Sequence, residues 1–484
     1  MANIEPTRRR ILPALILATL LTGCAVGPDF KSPAAPAVAG YTSSPASEDS
    51  LRFVKGSLVN PQWWQGLGSA RLNGLIDEAL LASPTLAAAQ ATLRQAQEVH
   101  GARAGSTLYP QADANLSSQR QQTNPSALGQ TGDAREFTLY NVGAGVRYTL
   151  DLAGGNRRAL EALAARVDYQ RYQLEGARLT LAANIVTTAI TQGGLTMQIK
   201  VTEDILLSQE EQMELARERV RLGQASPDEV LTLETQVEQT RATIPLLRNR
   251  FQQSEHLLAV LAGRAPATGA LSSFSLEEFT LPADLPLVVP SELVRARPDI
   301  QAAESLLHAA NAEYGVAIAR LYPQLNLSAN LGSQALTTGA LFGSGSAVWS
   351  LVGQLTQPLF NPGLPAEKRA ALAAFDAAAA NYRNVVLESL RNVADLLSAL
   401  DNDTQRLAAL TAAHGASKKS LSSMERRYAL GAVSYLEQLI AQQQSQQTRI
   451  NLIEAQTQHL VDSAAFYQAM GGGGLNNSET IAKQ

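Results

Sequence analysis

Side chains able to do chemistry are spread thinly along this 484-residue chain. The five histidines, His100, His256, His308, His414 and His459, never fall four apart and have no cysteine beside them, so a helix cannot offer two ligands to one zinc. No glycine-rich loop runs into Lys-Ser or Lys-Thr, the arrangement that would cradle a nucleotide phosphate. Asp401 and Asp403 form a carboxylate pair, which on an exposed helix reads as solvated rather than catalytic. Gly154-Gly155-Asn156 opens a helix after a strand, and a flexible corner explains it better than anion binding. These residues predict no enzyme, no cofactor and no metal. One side chain does stand where covalent chemistry is expected. Cys24 is the only cysteine, so no internal disulfide can form.

The residues before Cys24 give it a purpose. Arg8, Arg9 and Arg10 precede an apolar run from Ile11 to Leu21, too short to span a bilayer and charged in the order of a secretory signal. The run ends in Leu21-Thr22-Gly23-Cys24, which resembles a bacterial lipobox, so residues 1–23 are expected to be a lipoprotein signal peptide and Cys24 the lipidated N-terminus. Buried acyl chains anchor at about 0.8 kcal/mol per CH₂. Ala25, rather than Asp, follows, which in lipoproteins of this type favours the outer membrane. Residues 24–62, rich in Pro, Ala and Ser, read as a lipid-anchored extended tether.

An internal duplication organises the rest. Arg221-Leu-Gly-Gln-Ala-Ser226 runs on to Gln239-Thr-Arg241, and Ala429-Leu-Gly-Ala-Val-Ser434 runs on to Gln447-Thr-Arg449, 208 positions later. Leu-Tyr-Pro-Gln likewise occurs at 108–111 and 321–324. The repeats are placed at 63–264 and 291–470, joined by a Pro-rich linker at 265–290, with 471–484 expected to be disordered. Each repeat starts with a helical pattern, interrupted at Ser83-Pro84 in one and Arg297-Pro298 in the other. After each Leu-Tyr-Pro-Gln the period becomes two, predicting one β-hairpin per repeat, within 112–150 and 325–360. Strands of about ten residues can cross a membrane in a closed barrel, but four are too few, and open edges cannot face lipid. Three copies of the chain would supply twelve.

Long helices follow the hairpins. Leu372, Phe375, Ala379, Tyr382, Val386, Leu390, Val393, Leu397 and Leu400 recur by threes and fours, a coiled-coil seam. A continuous helix from Gly154 to Arg221, or from Pro365 to Ala429, would rise about 100 Å. Gly193-Gly194 and Asp401-Asn402-Asp403 are weak helix formers at matching places, read either as bends where a belt crosses or as tolerated surface positions. Leu222-Gly223 and Leu430-Gly431 close the rods, and Ser226 and Ser434 are N-caps for returning helices. The predicted class is mainly α with a transmembrane β-barrel part in an internally duplicated protomer. The net charge of −4 and the lack of a basic stripe argue against nucleic acid.

Lipobox, Trp63-Trp64, duplicated Leu-Tyr-Pro-Gln, four strands and paired Leu-Gly tips together resemble the TolC-like outer-membrane efflux family, in its OprM/NodT-type lipoprotein branch. The resemblance implies a homotrimer with a twelve-stranded β-barrel and a periplasmic α-barrel. It implies docking to a periplasmic adaptor protein and an inner-membrane pump of RND type, in the outer membrane of a Gram-negative cell. The tips at Leu222, Gly223, Ser226, Leu430, Gly431 and Ser434 would meet the adaptor. Arg427-Tyr428 looks like the family's Arg-Tyr pair beside the gate, though Tyr428 equally suits coiled-coil packing. Of the two constricting acid positions after the second tip, Glu437 is present and Ile440 replaces the other. A ring of three Glu437 would raise one another's pKa values and favour cations, while Leu436 and Ile440 would resist wetting. Read without the resemblance, Glu437 is a solvated face residue. A type I secretion-like conduit and a non-conducting, periplasm-spanning structural lipoprotein are the alternatives.

Overall fold

The computed structural model describes residues 25–38, 40–42, 52–56, 59–125, 129, 131–268, 273–281 and 284–472. Cys24, the signal segment 1–23 and residues 473–484 lie outside them. The chain divides into two compact units.

The first unit comprises the N-terminus to Ser32, Thr92–Gln170 and Ala303–Tyr382, and holds a four-stranded antiparallel sheet. Its strands are β2 (Gln111–Thr123), β3 (Arg135–Leu150), β5 (Gln324–Ala335) and β6 (Ala347–Thr356), in that spatial order. Register follows from the alternation in the sequence. Leu331 sits opposite Trp349 and Ala144, and Leu325 opposite Leu355 and Leu150, so one face is apolar. Asn326 and Asn330 pair with Gln354 and Ser350 on the other face, which Arg147 and Asp113 also occupy, 2.5 Å apart. The apolar face is not buried: Trp349, Leu351 and Leu331 are exposed. Strands β2 and β6 are free edges.

The second unit comprises Pro33–Ala91, Arg171–Ala302 and the chain from Arg383 onward. The expected break at Ser83-Pro84 separates α1 (Ala70–Ala82) from α2 (Pro84–Leu108), and Arg297-Pro298 separates a short, seven-residue helix (Pro290–Ala296) from Pro298–Ala319. The long helices are α3 (Gly155–Arg221) and its counterpart Gly363–Ala429, each of 67 residues, or about 100 Å of rise. Their returning partners are α4 (Pro227–Leu261) and Tyr435–Ala469, each of 35 residues. In chain order the remaining helices are therefore α5 (Pro290–Ala296), α6 (Pro298–Ala319), α7 (Gly363–Ala429) and α8 (Tyr435–Ala469). Along the α7 seam Tyr382, Val386, Val393 and Leu400 are buried.

Two segments read as connecting chain carry structure of their own. Within the expected tether, β1 (Arg52–Lys55) pairs in parallel with β4 (Asp284–Leu287) of the linker. Phe53 reaches the Phe466 ring at 5.7 Å, and Trp63 stacks on Tyr467 at 5.2 Å. The linker also crosses α3. Buried Gln192 accepts the backbone N–H of Phe274 at 3.1 Å, and a Cβ on Gly193 would lie 2.9 Å from the backbone of Leu276. The helices run unbroken through Gly193-Gly194 and through Asp401–Asp403. At Gly193 the small residue serves close approach of a second backbone, which composition alone does not distinguish from helix weakening.

Candidate gate at the helical tips

The second unit carries every gate and tip residue read from the sequence. Both rods end alike. Gly223 and Gly431 have φ of 70° and 69°, with open space where a side chain would stand. Gln224 N–H bonds Arg219 O and Ala432 N–H bonds Arg427 O, both at 2.8 Å, so each tip is a Schellman closure. Ser226 accepts from Asp228 N–H and Ser434 from Glu437 N–H, at 3.3 Å in each case. Leu222 and Leu430 are exposed at the turns.

Below the tips the four helices are tied at one node. Met213 and Ala216 of α3, Leu233 and Val237 of α4, and Leu439 of α8 form a buried cluster, with Tyr435 packed against it. Arg219 of α3 lies 3.3 Å from Glu229 of α4 and donates to the Tyr428 hydroxyl of α7 at 3.2 Å. Its guanidinium also stands over the Tyr435 ring, 5.8 Å from the centroid, and the Tyr428 and Tyr435 rings are 5.7 Å apart. Burial, with smaller contributions from Glu229 and Tyr428, pushes the Tyr435 hydroxyl up to about 12. It stays a neutral phenol across the physiological range.

Tyr428 is thus both a packed ring and a hydrogen-bond acceptor. Arg219 and Glu229 carry no local signal of this role. The repeat offset contains the missing signal: Arg219 and Glu229 stand 208 positions before Arg427 and Glu437.

The equivalent pairs do different things. Glu229 turns toward Arg219, whereas Glu437 turns back on its own helix start. Its carboxylate accepts from Ser434 N–H at 2.7 Å and from Ser434 Oγ at 2.8 Å, completing a capping box. These bonds hold Glu437 below the ordinary carboxylate range, with a smaller contribution from Arg427. Within one chain the direction is downward, the reverse of that expected for a ring of acids. Leu436 and Ile440, one turn apart on α8, are both exposed. Among the described residues no group of His, Cys, Asp or Glu could hold a metal, and no helix is long and apolar enough to cross a membrane.

The family model for "Outer membrane efflux protein" matches residues 75–264 and 289–472. The chain belongs to this family. It is 28% identical over 472 residues to outer membrane protein OprJ of Pseudomonas aeruginosa, covering 95% of each. It is 30% identical over 461 residues to the solvent efflux pump outer membrane protein SrpC of Pseudomonas putida, covering 94% of this chain and 96% of that one. Among solved structures, the outer-membrane channel OprN superposes with a TM-score of 0.85 at 28% identity, over 93% of this chain and 99% of that one. The open state of the MtrE channel of Neisseria gonorrhoeae superposes at 0.81, with 26% identity over 93% and 98%. Family membership accounts for the duplicated helices and the four-strand sheet together. The family's members are outer-membrane channel proteins of efflux pumps, and this chain is the outer-membrane component of an efflux system.

Proposed function

We propose that three copies of this chain form the exit duct of a tripartite pump, taking small molecules from an inner-membrane pump and its periplasmic adaptor and releasing them outside the cell. The sheet carries this reading. Its free edges β2 and β6 would leave backbone N–H and C=O groups unpaired in lipid, at several kcal/mol each. Pairing β6 of one copy with β2 of the next removes every edge, and three copies give about twelve strands, within the range of membrane barrels. The apolar face with Trp349 and Leu351 then meets lipid, and the face with Asn326 and Asn330 meets water.

In this reading the pump does the work and the duct is passive. The tips at Leu222-Gly223 and Leu430-Gly431 serve as adaptor contacts. The node of Arg219, Glu229, Tyr428 and Tyr435 holds the helices closed, with Glu437, Leu436 and Ile440 at the constriction and Arg427 beside it. Cys24 carries the lipid that anchors the N-terminus. Protein purified in mild detergent should run as a trimer and form pores in planar bilayers. A monomer without pores would overturn the duct.

A further inference from the structure

The N-terminal segment is not a loose leader to the fold. Val26 N–H bonds Ala153 O at 3.0 Å, three residues beyond the end of β3. Arg158 of α3, only 4% exposed, reaches across the segment. Its guanidinium donates to Val26 O at 3.3 Å, to Gly27 O at 3.2 Å, to the Asp29 carboxylate at 2.6 Å and to Glu161 at 2.7 Å.

The seat is shaped as well as charged. A Cβ on Gly154 would fall 2.5 Å from Ala25, and one on Gly27 would fall 2.9 Å from the Cα of Gly315 on α6. The second repeat contributes the opposite wall. Asn311 donates to Pro28 O at 2.9 Å, and the Phe30 ring stacks on His308 at 4.3 Å with planes 13° apart. His308 in turn meets Glu161 at 2.9 Å. Burial pushes Glu161 up, but its hydrogen bonds to Arg158 and His308 prevail and hold it below the ordinary range. The position equivalent to Arg158 in the second repeat is Ala366, so that repeat lacks the seating arginine.

A buried arginine costs several kcal/mol to desolvate unless its donors are met, and here the strap's own carbonyls and Asp29 meet them. Removing the strap would leave Glu161 as the carboxylate partner and unpair the donors that now meet Val26 O, Gly27 O and Asp29. We propose that residues 25–32 are a docked strap seated by Arg158, and that the seat fixes the level at which the acylated N-terminus leaves the protein, at the foot of β3. This rests on the reading of Cys24 as the lipidated residue. Undocked, the eight residues would give the lipid up to about 28 Å of slack, nearly the thickness of a hydrocarbon core, and the anchor would no longer constrain the height of the strands. Arg158 is thus a positioning residue for the membrane anchor.

Trypsin reads the strap directly, because Lys31-Ser32 is a cleavable bond inside it. Full-length protein purified in detergent should cleave slowly there, since an extended segment must detach before a protease can take it. Arg158→Ala should accelerate that cleavage by about tenfold, while cleavage after Lys368 stays at the wild-type rate. Asp29→Asn should accelerate it by about threefold. The Asp29 side chain is 89% exposed, so this variant keeps the fold and decides the matter should Arg158→Ala not assemble. Unchanged cleavage after Lys31 in folded Asp29→Asn, and in Arg158→Ala if it folds, would overturn the strap. Mass spectrometry of the released N-terminal peptide reports separately on its acyl group. A peptide without lipid would remove the anchoring role and with it the proposal, whatever the cleavage rates.

Discussion

Arg219 in the first repeat hydrogen-bonds Tyr428 in the second, across 3.2 Å, and so closes the hairpin of one repeat onto that of the other. Glu229 holds the same guanidinium from the far side at 3.3 Å. The side chain is one-third exposed, so the contact is worth about 1 kcal/mol rather than the 2–3 of a buried charged bond. Tyr428→Phe and Arg219→Ala should each shift a closed-to-open equilibrium roughly fivefold. Single-channel conductance should rise, and cells should admit large hydrophilic antibiotics that the native protein excludes. Wild-type conductance in both variants would free the node from any gating role.

Glu437 should stay ionised in acid. Its bonds from Ser434 depress its pKa, so a charge at the constriction would survive below the ordinary glutamate midpoint of about 4.3. Glu437→Gln should abolish cation preference in planar bilayers, whereas Ser434→Ala should move its loss to higher pH. Unaltered selectivity in Glu437→Gln would leave the carboxylate with its capping role alone.

Asp403 on α7 faces Asp462 on α8, and burial together with that neighbour raises it to about 6. A raised acid favours the fold below its unfolded pKa near 4, and that contribution is lost as pH climbs through about 6. Thermal stability should therefore fall between pH 4 and 7, by about 1 kcal/mol per chain after solvent screening. Asp403→Asn should flatten the dependence and stabilise the protein at pH 7.5. The equivalent positions in the first repeat are Leu195 and Ser254, so the repeat itself supplies an uncharged precedent.

Gly193 should tolerate no side chain. A Cβ there meets the Leu276 backbone at 2.9 Å, and overpacking of this kind costs about 1–3 kcal/mol. Gly193→Val should lower the melting temperature and expose the linker at 273–279 to proteolysis, while Gly223→Ala strains only the tip. Equal melting temperatures for wild type and Gly193→Val would show that the linker yields.

Periodicity and punctuation carried most of the fold. The seam through Tyr382 and Val393, the Leu-Gly closures and the serine caps each express a local preference that a single segment can reveal. Arg219, Glu229 and Tyr435 express none. Their roles arise where helices more than two hundred residues apart converge, and each alone reads as a solvated or packed helix residue. The place of Glu437 after the tip points to a constriction, yet its carboxylate is committed to Ser434, a capping-box spacing also present in the sequence. The strap and β1 lay in a Pro-, Ala- and Ser-rich stretch whose composition suits an unsupported chain. Their partners, Arg158 and β4, are remote in sequence, so composition could not show that they were held.

The unpaired edges of β2 and β6 make inheritance of a faulty copy unusually damaging. Each barrel wall would be completed by its neighbours, so an altered edge strand spoils a seam that a healthy copy must share. In a cell making equal amounts of sound and edge-defective chain, only about one trimer in eight would be free of a bad copy. In such a cell the defective chain would act as a dominant poison, whereas omitting it would leave half the dose with every trimer sound.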